Sequence, residues 1–297
     1  MDEKRVVIIG LGVIAKHHIE AIQRTKMFRI VAVCDIEESL ARNPLYAHLP
    51  FYTDYKEMLH EQCPEISVIC TPPNTHRSIA QYFIEHGVHV LVEKPLSDKQ
   101  ADAEYFFRQE ILEHYTPLFH SICAVEVIWA KQNLLLSNIR KIEQSFSDPY
   151  FTHNVIASNR ISLGGCWLDS GVNALAILSL WVNLDKLRIC NLRHRIDRKR
   201  ALPVASSFKA QTEDLKVNLE IHWDKGINHK QTVIEDELHR YRIDHSDQSV
   251  WCDGQCLFRD DSEERLTRHY IEFYSHFPRM TLTSNEVRTL YEIVFKQ

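Results

Sequence analysis

Residues 5–15, RVVIIGLGVIA, decide the fold of the amino-terminal part of this chain. The run RVVII is almost entirely apolar, which is typical of a strand covered on both faces in a parallel sheet. GLGVIA then fits the spacing G-x-G-x-x-G/A: Gly10 permits a tight turn, Gly12 lets the backbone approach a pyrophosphate, and Ala15 allows close packing of a helix. The first N–H groups of that helix would face the anion. The stretch therefore predicts a dinucleotide-binding turn; the alternative is a glycine turn in an α/β fold without a nucleotide.

Strand and helix patterns alternate through the first third of the sequence. Further apolar runs lie at residues 28–35, 66–70 and 88–93, with helical patterns and short connections between them. This βαβα order predicts an α/β fold built on a doubly wound parallel sheet.

The pattern changes in the rest of the chain. From about residue 139 strand-like runs follow one another, and a single helical pattern over roughly residues 166–181 interrupts them. That order predicts a second, α+β domain with a mostly antiparallel sheet. The expected domains are 1–120, which binds the dinucleotide, and 121–297, which binds substrate and forms the oligomer.

Composition is that of an ordinary globular protein of two domains. The chain has 297 residues, of which 44% are apolar and 25% charged, and its formal net charge is −5. No basic stripe is present, which argues against a nucleic-acid partner. The apolar runs are shorter than the ~20 residues that cross a bilayer, and the start MDEKR lacks the apolar segment of a signal peptide. We expect a cytoplasmic protein that binds neither nucleic acid nor membrane.

The eight cysteines do not have the density of a disulfide-rich protein. Cys252 and Cys256 are the nearest pair, with three residues between them, and the sequence contains no second pair at this spacing. Structural zinc sites commonly use two such pairs. We therefore expect no metal site.

Asp35 ends the second apolar run and lies 23 residues past Gly12. An acidic residue at about this distance accepts hydrogen bonds from the ribose hydroxyls of NAD. Its charge would repel the 2′-phosphate of NADP, and neither Ile36 nor Glu37 supplies an arginine for that phosphate. The sequence therefore predicts NAD in preference to NADP.

Two further motifs follow the third and fourth strands, at the edge where open α/β sheets bind ligands. The first is TPPNTH at residues 71–76; the alternative is that Asn74 or Thr75 only caps the next helix. The second is EKP at residues 93–95, where Lys94 is unusual because lysine is seldom buried without a partner. Partial burial lowers the pKa of a lysine and suits it to proton transfer. The alternative is a surface lysine at a strand end.

Residues 164–173, GGCWLDSGVN, form a second chemical cluster. Asp169 and Asn173 are four residues apart and share one face of the predicted helix. The rest of that helix is apolar, so its two polar side chains predict a polar pocket. The alternative is that Asp169 caps the helix and Asn173 is an amide satisfied in the core.

These motifs together resemble the glucose–fructose oxidoreductase / inositol dehydrogenase / MocA family. The resemblance is carried by G-L-G-x-I-A, V-C-D, T-P-P-x-x-H, E-K-P and G-G-x-x-x-D-x-G, in this order over nearly the whole chain. It implies an amino-terminal Rossmann domain, a carboxy-terminal α/β domain with an open sheet, a nicotinamide cofactor and oxidation of a sugar or cyclitol hydroxyl. It also implies that Lys94 lies by the reacting carbon and Asp169 at the substrate. The residues expected to bind the cofactor are Gly10, Gly12, Val13, Ile14, Asp35, Thr71, Pro72, His76, Glu93 and Lys94.

One position departs from the family pattern. Many members carry a catalytic histidine four residues after the aspartate, where this chain has Asn173. FHS at residues 119–121 and DSGVNAL at residues 169–175 resemble W-H-S and D-x-G-I-N-A-L of the branch of aldose 1-dehydrogenases that act on L-arabinose or D-galactose. Asn173 is therefore interpreted as a feature of this branch. Asn173 and His120 are expected to bind substrate; a core-edge histidine with no such role is the alternative for His120.

The expected reaction is hydride transfer between NAD and a sugar, at the anomeric carbon of an aldose. Such an oxidation needs a base for the hydroxyl proton and donors for the developing carbonyl oxygen. We expect Lys94 and Asp169, the catalytic residues, to flank that hydroxyl. Asp169 is the better base, while Lys94 donates if charged and accepts the proton if neutral. The alternatives are a biosynthetic ketone or imine reductase of the same fold, and a non-catalytic nucleotide-bound sensor. A homo-oligomer, dimer or tetramer, is implied by the resemblance alone.

Overall fold

The structure, a computed structural model, describes residues 3–296, and these divide into two compact units. The first unit contains residues 3–120 together with Leu266–Ser284. The second contains Ser121–Arg265 and residues 285–296. Within the described range, no helix has both the length and the apolar character needed to cross a bilayer.

The first unit is built on a parallel sheet. Its strands are β1 (Lys4–Ile9), β2 (Phe28–Cys34), β3 (Phe51–Tyr52), β4 (Ile66–Ile69), β5 (His89–Glu93) and β6 (Tyr115–Leu118), and its helices include α1 (Val13–Arg24), α2 (Tyr55–Gln62), α3 (Pro73–Glu85) and α4 (Gln100–Tyr105). The strand order across residues 3–296 is β3-β2-β1-β4-β5-β6, and each neighbouring pair is parallel. All of β4 is buried, as a continuous apolar run in a covered sheet predicts. The predicted doubly wound parallel sheet is confirmed.

Strand β6 has a weak sequence pattern because Thr116 and Pro117 interrupt its apolar residues. It lies at the edge of the sheet and pairs with β5. Edge strands tolerate proline because one row of their backbone groups faces no partner strand. This sequence can therefore form a strand at the edge of the sheet, whereas its proline would not be tolerated in a central strand.

The second unit is built on a larger, mixed sheet. The helices of this unit include α5 (Val125–Asn133), α6 (Val172–Ser179) and α8 (Ser284–Val294), whereas α7 (Arg265–His276) lies almost entirely in the first unit. Strands β8 (Phe151–Thr152) and β9 (Val155–Ile156) pair as a separate antiparallel sheet. The large sheet contains β7 (Lys141–Ser147), β10 (Arg188–Asp197), β11 (Leu202–Gln211), β12 (Lys216–His222), β13 (His229–Glu235), β14 (Arg240–Asp244), β15 (Ser249–Cys252) and β16 (Gln255–Arg259). Its order across the described residues is β10-β11-β12-β7-β13-β14-β15-β16. The pair β7–β12 is parallel and the other described pairs are antiparallel. Along β12, Val217, Leu219 and Ile221 are buried and the residues between them are more exposed, so one face of the strand is covered. The predicted mostly antiparallel sheet is confirmed.

The helix predicted over residues 166–181 is wound in two ways. Trp167–Gly171 form a π-helical turn, and α6 follows it from Val172. Every residue of α6 is buried. A continuous α-helix is therefore wrong for this segment. Single π turns inside helices are frequent at functional sites, and this one carries Asp169.

Residues Leu266–Ser284 pack with the first unit although most of the second unit precedes them in sequence. The rings of Tyr274 and Phe277 lie 5.4 and 5.9 Å from that of Phe28 in β2, measured between centroids. This arrangement differs from the linear division into 1–120 and 121–297. The reason is that aromatic side chains far apart in sequence bury one another, which a local pattern does not reveal.

Candidate active site

Five residues predicted to bind ligands follow successive strands of the parallel sheet. Taken across the sheet, Asp35 comes after β2, Gly10 after β1, Thr71 after β4, Lys94 after β5 and His120 after β6. Because the strands are parallel, these residues share one edge, the edge where doubly wound folds bind ligands. Asp169 and Asn173 belong to the second unit.

The atoms around the turn after β1 require a glycine at position 10. Gly10 has φ +84°, and a Cβ built there would lie only 2.7 Å from the backbone nitrogen of Thr71, so a side chain is excluded. At Gly12, no described atom beyond its chain neighbours lies within 4 Å of such a Cβ. Gly12 precedes α1, and no side chain caps that helix among the described residues. This open helix start fits the diphosphate of a dinucleotide.

Asp35 holds the glycine turn in place. Its Oδ2 accepts a hydrogen bond from the backbone nitrogen of Leu11 at 2.7 Å, and its Oδ1 accepts one from that of Glu37 at 3.0 Å. The side chain is half-buried, and each carboxylate oxygen has a second lone pair for a ribose hydroxyl. Val13, a predicted contact, is 70% exposed, and Ile36, which was not predicted, is 90% exposed. Their open apolar surface fits the uncharged parts of a nucleotide.

Replacing Asp35 by Ser is expected to weaken NAD binding about 10-fold or more, since a charged hydrogen-bond acceptor is lost. The preference for NAD over NADP should fall as well, because the charge that repels the 2′-phosphate is gone. Calorimetric titration of both cofactors measures the effect. Asp54→Ser is the matched control: Asp54 caps α2 through the backbone nitrogen of Lys56, and serine is also a good cap. An unchanged ratio of the two affinities in Asp35→Ser would contradict the assignment.

The loop after β4 leads directly into α3. Helix α3 begins at Pro73, after the exposed Pro72, and no side chain caps it within the described range. The alternative that Asn74 or Thr75 caps this helix is therefore wrong, since both lie inside its first turn. The hydroxyl of Thr75 instead donates to the carbonyl of Pro72 and contacts the hydroxyl of Thr71, each at 2.7 Å.

The ring of His76 lies beneath this loop. It is 1% exposed, with Nε2 2.8 Å from the carbonyl oxygen of Thr71 and Nδ1 3.0 Å from that of Pro95. Burial lowers the pKa of His76, and a neutral ring donates to one of these carbonyls at a time. His76 therefore ties together the loops after β4 and β5. Its direct contact with a cofactor stays a prediction.

Lys94 is half-buried at the end of β5, and its peptide bond to Pro95 is cis. Its backbone nitrogen donates to Oε2 of Glu93 at 3.1 Å. Glu93 was predicted to bind the cofactor, yet its side chain is 4% exposed and its carboxylate contacts protein groups. Half-burial agrees with the partial burial predicted for Lys94, and its part in proton transfer stays a prediction.

His120 is paired with a second histidine. Its Nδ1 lies 3.2 Å from Nδ1 of His269 in α7, and the two rings stack with centroids 5.5 Å apart. In a neutral pair one Nδ1 donates and the other accepts, so the contact sets the tautomer of both rings. His120 is half-buried and His269 is buried. No local pattern singles out His269, because the partners are 149 residues apart.

The glycines of the cluster at residues 164–173 are explained by close approaches within the second unit. A Cβ at Gly165, where φ is +96°, would lie 2.6 Å from Cδ of Pro203. A Cβ at Gly171 would lie 2.7 Å from the ring of Trp167. These contacts let the π turn pack tightly against β11 and against its own tryptophan.

Gly165→Ala is expected to destabilise the protein by about 2–5 kcal/mol, because overpacking adds to left-handed backbone strain. Gly254→Ala is the matched control: Gly254 has φ +88°, but a Cβ there meets no described atom within 4 Å. That substitution should cost only the strain, about 1–2 kcal/mol. Urea unfolding of both variants separates the two contributions. Equal losses of stability would show that the contact with Pro203 does not matter.

Asp169 and Asn173 are 8% and 9% exposed. Cys166 and Gly171 precede the π turn and α6, and neither segment has a side-chain cap in the described part of the chain. The alternative that Asp169 caps the helix is therefore wrong. Oδ1 of Asn173 has no hydrogen-bond partner among residues 3–296, which an amide satisfied in the core would have. A ligand hydroxyl would supply the missing donor.

The π turn is held by hydrogen bonds to residues that the sequence did not indicate. The hydroxyl of Ser170 donates to Oδ2 of Asp148 at 2.8 Å, and Nε1 of Trp223 donates to that hydroxyl at 3.4 Å. Lys230 forms an ion pair with the other oxygen of Asp148. Ser170 is the residue after Asp169, so this network fixes the backbone that carries the predicted base.

The pair Cys252 and Cys256 does not act as a unit. The thiol of Cys252 donates to Asp253 at 3.7 Å, whereas that of Cys256 donates to the carbonyl of Phe258 at 3.4 Å. In the described part of the chain, His239, Cys252 and Asp253 bring ligand atoms within 4.8 Å of one another at the surface. Nδ1 of His239 lies 2.7 Å from Asp253, so these side chains satisfy one another by hydrogen bonds.

The parallel sheet, the open glycine turn and the acidic residue after β2 define a dinucleotide-binding fold. Residues 4–111 match the model of an oxidoreductase family with an NAD-binding Rossmann fold, GFO_IDH_MocA. Over these residues the chain is similar to that family. The resemblance predicted from the motifs is confirmed for this part of the chain, and the NAD-binding fold of the family agrees with the predicted cofactor.

Known proteins resemble the chain over different lengths. The uncharacterised oxidoreductase YrbE of Bacillus subtilis (strain 168) is 33% identical over 92 residues, which span 30% of this chain and only 27% of that protein. Galactose 1-dehydrogenase of Pseudomonas fluorescens is 23% identical over 94% of this chain and 89% of that protein. The solved structure of a variant of a 3-ketoreductase from Actinomadura kijaniata superposes with a TM-score of 0.81 at 17% identity, covering 98% and 96% of the two chains. That last likeness shows a shared fold.

Proposed function

We propose that this chain is an NAD-dependent oxidoreductase that acts on a hydroxyl group of a sugar. The proposal is carried by the shared edge of the first unit, where the glycine turn, Asp35 and Lys94 follow parallel strands of one sheet. The glycine turn and Asp35 fit the diphosphate and ribose of a dinucleotide. Lys94 adds a charged group that a nucleotide-binding protein without catalysis does not need. Asp169 and Asn173 add buried groups suited to hydroxyl binding.

The protein has to hold the reacting hydroxyl and move its proton. When bound, NAD would supply the hydride acceptor. We propose Asp169 as the proton acceptor, since the hydroxyl of a cyclic hemiacetal is acidic enough for a carboxylate to remove its proton. Lys94 donates a hydrogen bond to the same oxygen as it becomes a carbonyl. Asn173 binds an adjacent hydroxyl, and His120 binds a further hydroxyl.

We further infer that the substrate is an aldose oxidised at its anomeric carbon. The similarity to galactose 1-dehydrogenase over 94% of this chain supports this substrate class. The unpartnered Oδ1 of Asn173 also supports it, because a sugar presents a hydroxyl donor next to the reacting one.

The test is the formation of NADH, followed by its near-ultraviolet absorbance, with a panel of aldoses and polyols and with NADP in parallel. We expect formation of NADH with L-arabinose, D-galactose or a related aldose. Oxidation of NADH by ketones or imines instead would point to a biosynthetic reductase. Cofactor binding without any hydride transfer would point to a sensor, and either result would contradict the proposal.

A further inference from the structure

The buried carboxylate of Glu93 lies next to the backbone nitrogen of Lys94. The side chain of Glu93 accepts three hydrogen bonds: from the hydroxyl of Tyr270 at 2.5 Å, from Nε2 of His18 at 3.0 Å and from the backbone nitrogen of Lys94 at 3.1 Å. His18 and Tyr270 are fully buried. The hydroxyl of Tyr274 lies 2.7 Å from Nδ1 of His18 and fixes that ring in turn. Helices α1 and α7 therefore meet strand β5 at this one carboxylate.

These contacts favour the charged form of Glu93. A carboxylate that accepts three hydrogen bonds is stabilised in its ionised state. Burial raises the pKa of Glu93, but the hydrogen bonds of His18 and Tyr270 and the charges of His18 and Lys94 outweigh burial and lower it overall. The interaction is mutual, because a negative charge in a low-dielectric interior favours the positive form of a neighbouring lysine.

We propose that Glu93 is a positioning residue: its charged carboxylate fixes the backbone of Lys94 and keeps the Lys94 side chain positively charged. Lys94 then acts on the substrate oxygen as a hydrogen-bond donor, and Asp169 is the proton acceptor. The role at the substrate rests on the proposed function. The effect of Glu93 on the charge of Lys94 does not depend on any substrate.

No neighbour in the described first unit replaces the charge of Glu93. The titratable groups that interact with one another around it are His18, Cys70, His76, Lys94, Tyr270 and Tyr274. Burial raises the pKa of the thiol and of both phenols well above their ordinary values, so these three groups are uncharged at neutral pH. A substitution that neutralises Glu93 therefore removes the negative charge closest in sequence to Lys94.

The first test needs no substrate. Glu93→Gln keeps the shape of the side chain and removes its charge, and Tyr270→Phe removes one donor. Competitive labelling with acetic anhydride at varied pH, quantified by mass spectrometry, compares Lys94 with the exposed Lys99 of the same chain. In Glu93→Gln, Lys94 should become reactive at a pH about one unit lower than in the wild type, with Lys99 unchanged. Tyr270→Phe should give a smaller shift in the same direction. Identical labelling of Lys94 in all three proteins would overturn the proposal, whether or not a sugar is oxidised.

The second test uses turnover and cofactor binding. Glu93→Gln should lower kcat about 10-fold or more, since a hydrogen bond to a charged group is lost. NAD affinity should stay within about twofold.

Tyr241→Phe, which removes a hydroxyl from a buried side chain of the second unit, should change neither quantity. A loss confined to NAD affinity would make Glu93 a cofactor ligand and overturn the proposal. If Glu93→Gln does not fold, Tyr270→Phe carries both measurements. Absence of hydride transfer in the wild type would overturn only the proposed function.

Discussion

Replacing Asp169 by Asn is expected to lower kcat by about 10²–10⁴-fold, the usual contribution of a positioned general base. The amide has nearly the same size and still forms hydrogen bonds, but it cannot take up the hydroxyl proton. The π turn that carries this residue is held by Ser170 and Asp148, so its backbone should not move. The loss should appear in kcat more than in KM, because the missing interaction develops in the transition state. Steady-state kinetics with the sugar found in the panel measures it.

Asp197→Asn is the matched control for Asp169. Asp197 is 9% exposed, and its carboxylate accepts hydrogen bonds from the backbone nitrogens of Lys199 and Arg200. Its substitution should cost stability but leave kcat within about twofold. Calorimetry should find NAD affinity unchanged in both variants. Near-normal turnover of Asp169→Asn would remove Asp169 from the mechanism.

Replacing Lys94 by Ala is expected to lower kcat by about 10²–10³-fold, the effect of removing one donor to a developing oxyanion. Lys94 follows β5, beside the loop that holds Thr71, so its side chain is placed by a buried part of the sheet. The substitution removes a charged donor whose interaction strengthens as the substrate oxygen becomes a carbonyl. Single-turnover formation of NADH at saturating NAD isolates this step from cofactor binding.

Lys99→Ala is the matched control for Lys94. Lys99 lies five residues further along the same connection and its side chain is exposed. Its loss should leave the rate within about twofold of the wild type. A Lys94→Ala variant that binds NAD more weakly but turns over normally once saturated would assign Lys94 to the cofactor alone.

Much of the first unit follows from local patterns. The run before Gly10 is apolar because β1 is covered on both faces, and position 10 is glycine because a Cβ there would meet the loop after β4. Asp35, Thr71 and Lys94 could be placed as well, since each directly follows an apolar run and parallel strands end at one edge. The family model matched by residues 4–111 has an NAD-binding Rossmann fold, which agrees with the predicted parallel sheet.

Groups that support the predicted residues were not foreseen. Glu93 is 75 residues from His18 and 177 from Tyr270, and Asp148 is 82 residues from Lys230. Contacts of this kind leave no periodic pattern in the sequence, because each partner by itself looks like an ordinary polar residue of its own helix or strand. The π turn at Asp169 was missed as well, because the spacing of polar and apolar residues does not distinguish a π turn from an α-helical one.

The sequence by itself determined the alternation of strands and helices, the glycine turn and the residues at the carboxyl ends of the parallel strands. These are properties of short segments, set by burial on one or two faces and by the steric needs of single residues. Only the tertiary structure decided that α7 returns to the first unit, that His269 pairs with His120 and that Glu93 is buried behind Lys94. Those features depend on contacts between side chains that are far apart in sequence and become buried together. No single segment contains both partners of such a contact, so the contact is defined only in the folded chain.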